Sequence, residues 1–374
     1  MAALRRLLDI VDLIEDDARV QILFTVAPDV FNITVESHLR GIGALVIPWQ
    51  QATREKFDLA IAAAHGGLHE LHAPIVLMAH GAGRARLVQP SGPGGRPVNE
   101  QSVYGLDAPR LVRDGRIVAS ALLLSHDHER QVLLRQCPEA APLSVVVGDP
   151  CFDRLVSGLP QRRRYRRMLG VSDDRSLVVI SSTWGEKGLF GSAPQLLPRL
   201  IQQLPAAACQ VATLLHPAIW AAHGRRQVLA WTRACRTAGM ILVDPGDDWR
   251  PYIAAADRLI GDQGSVTAYG AAIGLPVLRV RTAAAALPAA GSPQSVVLAE
   301  ATLLDPQEPL HPQVLNARPI DRNRVAGVLT SQPGRAGQLI RRTLYRLMGL
   351  PDREMPGDAR GFGPSSDPNP GKAA

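Results

Sequence analysis

Lysine, aromatic side chains and cysteine are all scarce in this 374-residue chain. Of 41 basic residues only Lys56, Lys187 and Lys372 are lysine, and the rest are arginine. Aromatic residues make up 4%. That is too few to interleave with the cations as a base-stacking surface, so nucleic acid is not expected as a partner. The core must then be built from Ala, Leu, Val and Ile. The four cysteines (Cys137, Cys151, Cys209 and Cys235) form no CxxC pair and have no zinc-site spacing. They read as reduced thiols of a cytoplasmic protein. No apolar run approaches the length of a membrane span. The opening MAALRRLLDIVDLIEDDARV reads as an amphipathic, acid-containing stretch rather than a signal peptide. The expectation is a soluble cytoplasmic protein, with peripheral contact at the inner face of the membrane left open. There is no Asp-x-Asp motif, and neither a metal nor a cofactor is expected.

Against these absences stand 46% hydrophobic and 20% charged residues, enough to bury a large core. The formal net charge of +7 points to an anionic partner such as a nucleotide, a phosphorylated polymer or an acidic membrane face. A genome that favours Arg codons would give the same balance.

Short apolar runs alternate with helical stretches. Strands are predicted over 20–25, 44–48, 57–63, 74–79, 117–124 and 143–147, with a helix through 33–39. After an Arg-rich stretch at 162–167 a second rhythm begins. Its predicted strands are 176–181, 210–215, 240–243, 258–261 and 276–280. Its predicted helices are 194–203, 225–238, 249–256 and 265–273. This order implies an α/β fold with mostly parallel sheets and helices on both faces. Two such halves make two Rossmann-like domains facing a cleft, joined near 150–170. The expected division is 1–155, 156–350 with closing helices over 324–348, and a disordered Pro/Gly/Ser tail over 351–374. The loop 88–100 is expected to be irregular and exposed.

Five motifs could carry chemistry. His80-Gly81 ends an apolar run, where a histidine can serve as a base near neutral pH and Gly81 and Gly83 let the chain turn. Gly148-Asp149-Pro150 is a turn before the second half, with Asp153 bonding the hinge; this motif reads as structural. Ser182-Thr183-Trp184 ends a strand, where hydroxyls can cradle a phosphate and Trp184 can pack on a ligand. His216-Pro217 ends the next strand, and a donating His there suits a phosphate. Asp262-Gln263-Gly264-Ser265 is the strongest local signal. It precedes a helix whose start favours an anion, with Ser265 and Thr267 as donors and Gly264 allowing close approach. Asp262, itself an anion, is expected to cap the helix or orient a neighbour. His65, His69 and His72 read as surface residues.

In this order the motifs resemble the teichoic-acid-type CDP-glycerol glycerophosphotransferase family, over about residues 18–285 and most firmly over 145–280. Its members look like two-domain, GT-B-type glycosyltransferases. The family pattern has Arg where this chain has Cys151 and Gly185, and a Tyr-Ser pair where it has Gln263-Gly264. It also has a Lys after the His-Gly that is absent here. The resemblance implies a transferase that moves a glycerol-phosphate or glycosyl group from a nucleotide-linked donor to a hydroxyl acceptor, in cell-envelope or secondary-metabolite polymer synthesis. The first domain would hold the acceptor, with His80 as catalytic base. The second would hold the donor phosphates through His216, Ser265, Thr267, Gly264, Ser182 and Thr183, supported by Asp262, Gly81 and Trp184. Two alternatives stay open. One is a UDP-sugar 2-epimerase-like enzyme, which shares a His-Pro and a related Asp-Ser-Gly-Gly turn. The other is a non-catalytic nucleotide-binding protein of the same fold.

Overall fold

Val, Ile and Leu runs too short for helices become the strands of parallel sheets, and the central runs, such as 75–77, 121–124 and 209–215, are buried on both faces. The computed structural model describes residues 1–28, 35–88, 102–282 and 287–352. The chain forms two compact units. Of the described residues, the first comprises those within Met1–Asp153, Leu287–Ser292 and 328–352; the second comprises those within Arg154–Ala286 and Pro293–Gly327. The strands in chain order are β1 (Phe24–Thr25), β2 (Val46–Ile47), β3 (Ala60–Ala62), β4 (Ile75–Leu77), β5 (Val112–Arg113), β6 (Arg116–Ile117), β7 (Ala121–Leu124) and β8 (Ser144–Val146). In the second unit they are β9 (Ser176–Ser182), β10 (Cys209–Leu215), β11 (Ile241–Leu242), β12 (Arg258–Gly261), β13 (Val277–Val280) and β14 (Thr302–Leu304).

The first unit holds the parallel sheet β3-β4-β7-β8, a parallel pair β1-β2 and a small antiparallel hairpin β5-β6. Strand alternation divides its core. Ile75, Leu77, Leu122 and Leu124 face one cluster, with Leu106, Leu111 and Leu133. Val76, Met78, Ala121 and Leu123 face the other, with Ile10 of the helix Ala2–Val11 and with Ile340, Leu344 and Tyr345 of the helix Ala336–Met348. That second cluster corrects the expected division. The closing helix was assigned to the second domain, but its apolar stripe packs on the first sheet.

The second unit is one six-stranded parallel sheet of order β11-β10-β9-β12-β13-β14. Counted from β9 this is 3-2-1-4-5-6, the doubly wound order whose direction of growth reverses between β9 and β12. Strand β14 and the helices Pro293–Glu300 and Leu310–Leu315 were not predicted. The expected helix over 225–238 is two, Arg225–Trp231 and Arg233–Thr237. They part at Thr232, whose hydroxyl donates back to Val228 O at 2.8 Å. The Arg-rich stretch is also a helix, Arg162–Met168. Arg162 and Arg166 turn inward to clamp Asp257 at 2.6 and 2.8 Å, so part of the apparent anion-binding charge is internal. The loop beyond 88 and the tail beyond 352 lie outside the described residues. Among those described, no helix is long and apolar enough to cross a membrane.

The closing helix is held through Asp153, which accepts from Gly334 N at 2.7 Å and Ala336 N at 2.9 Å. Burial pushes the Asp153 carboxyl up to about 6, against the pull of those two donors, and the negative charge of Asp149 adds to the rise. A carboxyl with a raised folded-state pKa binds its proton more tightly in the native protein. Its contribution is therefore present in full below the unfolded pKa and is lost as pH rises through about 6. Denaturant titrations between pH 4 and 7 should show unfolding free energy falling more steeply with pH in the wild type than in Asp153→Asn. Equal slopes would contradict this account.

Candidate functional site

Three neighbouring strand ends of the second unit converge at the reversal point. Leu215 of β10 is in register with Ser182 of β9, and Gly261 of β12 with Ser181. The ladder runs on for one residue, because His216 N donates to Ser182 O at 3.0 Å. His216, Ser182-Thr183 and Asp262 therefore stand side by side at the carboxyl edge, where open α/β sheets bind ligands.

Asp262 organises this edge. It is buried, and its Oδ2 accepts from Thr183 N (2.8 Å), Thr183 Oγ1 (2.8 Å) and Leu189 N (2.9 Å). Its Oδ1 accepts from Gly264 N at 3.0 Å. Burial pushes the carboxyl above its ordinary range, and the four donors pull against it. Asp262 thus ties both ends of the loop after β9 to the start of the helix Ser265–Ala272. Gly264, the N-cap, is required by this packing. A Cβ there would lie 2.9 Å from Thr183 Cγ2 and 3.2 Å from Asp262 Oδ1.

The expected phosphate donors divide on inspection. The Ser182 hydroxyl donates to Thr183 O (2.7 Å) and accepts from Phe190 N (2.8 Å). That of Thr183 is given to Asp262. Both hydroxyls shape the loop rather than face a ligand. Thr267 is a plain correction. It is 1% exposed, and its hydroxyl packs where a Gly261 side chain would stand, so helix–strand packing takes it from the anion. Ser265 remains half-buried at the first helical position, where helices leave amides without intrahelical partners. Trp184 is 48% exposed at the rim. His216 is half-buried and caps the helix Pro217–His223, its Nδ1 accepting from Ala218 N at 3.1 Å. An accepting Nδ1 leaves the proton of the neutral ring on Nε2, so the Nε2 edge of His216 is a donor.

His80 belongs to the first unit, beyond β4. Its Nδ1 donates to Ala63 O at 2.8 Å, which leaves Nε2 with the lone pair of a base. The residue is solvent-exposed on one side, yet burial of the ring by surrounding protein pushes its pKa below the ordinary value. Arg6 and Arg84 act in the same direction, and the bond to Ala63 opposes them. The sharp turn here is made at Gly83 (φ 61°). Gly81 instead offers its carbonyl to Arg6 at 3.1 Å.

Arg6, 4% exposed, also reaches Asp149 at 3.2 and 3.3 Å. Glu129 neutralises Arg84 at 2.9 Å. His65 is no surface residue. It meets Tyr104 edge-on at 5.6 Å, and burial, with help from Arg84, pushes it down to about 4. Sequence reading missed these contacts. Arg6 and Asp149 are 143 positions apart, and no local pattern links them.

If Asp262 anchors the edge, Asp262→Ala strands three backbone donors and should cost roughly 2–4 kcal/mol. A change in Trp184 fluorescence should accompany it. A variant that melts like the wild type would refute the anchoring role.

No protein-family profile matches the chain, and no curated protein matches it in sequence. Among solved structures it is similar to the wall teichoic acid polymerase TagF. The TM-score is 0.57 at 12% identity, over 92% of this chain and 85% of that one. A histidine variant of TagF soaked with CDPG gives 0.53 at 13% identity, over 92% and 96%. HepE of Anabaena, solved with UDP-glucose, gives 0.47 at 14% identity, over 92% and 94%. The likeness to TagF shows the fold, a GT-B-like α/β fold of two Rossmann-like units.

Proposed function

We propose that this protein is a transferase that moves a glycerol-phosphate or glycosyl group from a nucleotide-linked donor to a hydroxyl acceptor. The observation that carries this reading is the second unit's reversal point. There an Asp262-anchored loop, a helix start and the Nε2–H edge of His216 occupy adjoining strand ends. A helix start and a neutral donor suit the phosphates of a nucleotide, and Trp184 offers an apolar surface beside them. TagF, which shares the fold, has been solved with either of two histidines replaced and with CDPG soaked in. A cell-envelope polymer is the corresponding product class here.

In this mechanism Nε2 of His80 takes the proton of the acceptor hydroxyl as its oxygen attacks. The bond to the donor's nucleotide phosphate breaks, and the leaving phosphate carries away the electron pair. His216 Nε2–H and the helix start at Ser265 stabilise that charge as it grows. A lowered pKa keeps His80 unprotonated at neutral pH.

The two histidines should separate in kinetics and binding. His80→Ala should lose turnover by about 100-fold or more while keeping donor affinity. The double variant His216→Ala with Ser265→Ala should weaken nucleotide binding about 10-fold or more. Calorimetry with CDP and UDP, with turnover measured by nucleotide release, checks both. Full turnover in His80→Ala would remove the base, and unchanged affinity in the double variant would remove the donor site.

A further inference from the structure

Asp262 places a carboxyl group at the candidate donor edge. The second unit carries cations of its own beside that edge. Arg279 of β13 is in register with Gly261, the last residue of β12. Residues in register on parallel strands share a face. The pair one step back, Leu259 and Val277, shows which face, because Leu259 packs against Gly270 of the helix Ser265–Ala272. Arg279 therefore lies on the face covered by that helix, one strand from its first turn. Arg281 follows two positions on and is exposed.

Neither arginine has an ion-pair partner among the described residues, and Nε of Arg279 is buried with no hydrogen bond among them. Several other arginines of this unit are neutralised. Arg162 and Arg166 share Asp257, Arg225 holds Asp244, and Arg250 holds Asp248. Two adjacent guanidinium groups without counter-charge repel each other. Burial and the charge of Arg281 together lower the pKa of Arg279. A fold that keeps such a pair gains nothing in stability from it, and a dianionic ligand would relieve the repulsion.

We propose that Arg279 of β13 and Arg281 just beyond it grip the diphosphate of a nucleoside diphosphate-type donor beside the start of the helix Ser265–Ala272. The inference rests on the reading of this edge as the donor site, and it names the group recognised there. Positions i and i+2 of a strand are roughly 6.6 Å apart, a span over which two forked guanidinium groups can reach adjacent phosphates.

The test is calorimetric titration of the full chain with CDP, UDP, inorganic pyrophosphate, orthophosphate and the nucleosides cytidine and uridine. The expected order is CDP or UDP and pyrophosphate above orthophosphate, with all diphosphate binding weakened by raised salt. Arg279→Gln and Arg281→Gln should each lower diphosphate affinity about 10- to 100-fold, and Arg279→Lys should keep part of it. Without ligand, Arg279→Gln should melt at or above the wild-type temperature, because it removes a repelled and partly buried charge. A merely structural arginine would give a lower melting point, and that result would overturn the proposal. Diphosphate binding by the wild type that survives both Gln substitutions would overturn it too and leave the donor reading standing. Arg-dependent pyrophosphate binding with no gain from the nucleoside would support the anion grip and count against a nucleotide donor. No diphosphate binding by the wild type would overturn both.

Discussion

One carboxylate holds the functional edge of the second unit in shape. Asp262 is buried and charged by nature, and a buried carboxylate is tolerated only when donors satisfy it. Four donors do so, from Thr183, Leu189 and Gly264. These bonds join the end of β9 to the end of β12, the two strands between which a doubly wound sheet reverses direction. The loop after β9 and the helix after β12 are thereby fixed to each other. His216 enters the same arrangement through its backbone bond to Ser182. These internal bonds preorganise the edge, as electrostatic stabilisation of a leaving group requires.

The first unit solves a related problem by different means. Its candidate base stands at the end of β4 among arginines, each with a partner. Arg6 spans from the first helix to Asp149 and Gly81, and Arg84 is held by Glu129. These bonds fix the loop that carries His80, and burial, with help from Arg6 and Arg84, lowers the pKa of its ring. In the second unit Arg279 and Arg281 stand beside the candidate edge without an ion-pair partner among the described residues.

Much of the fold was legible because parallel strands, buried on both faces, leave continuous apolar runs. Residues 258–261 were read as the strand that forms, and 176–181 to within one residue. Strand β14 was not legible. It has three residues, one of them exposed, and pairs only by virtue of its place beside β13. The helix Ala336–Met348 shows its amphipathic stripe in sequence, but no stripe says which core it will cover. The candidate site was legible where chemistry and strand ends coincide, at His80, His216 and Asp262-Gln263-Gly264-Ser265. It was misread where a hydroxyl serves packing: Thr267 looks like an anion donor until Gly261 is seen to receive it. Nothing in the Arg-rich stretch 162–167 shows that Arg162 and Arg166 pair with Asp257.

The central claim is that a nucleotide-linked donor binds at the carboxyl edge between β9 and β12. Amide hydrogen exchange of the full chain, with and without saturating CDP or UDP, tests it most directly. The account predicts new protection in the loop 183–188 and the turn 263–267, and little change in β11. Protection that appears only outside these segments, or none with either nucleotide, would contradict it.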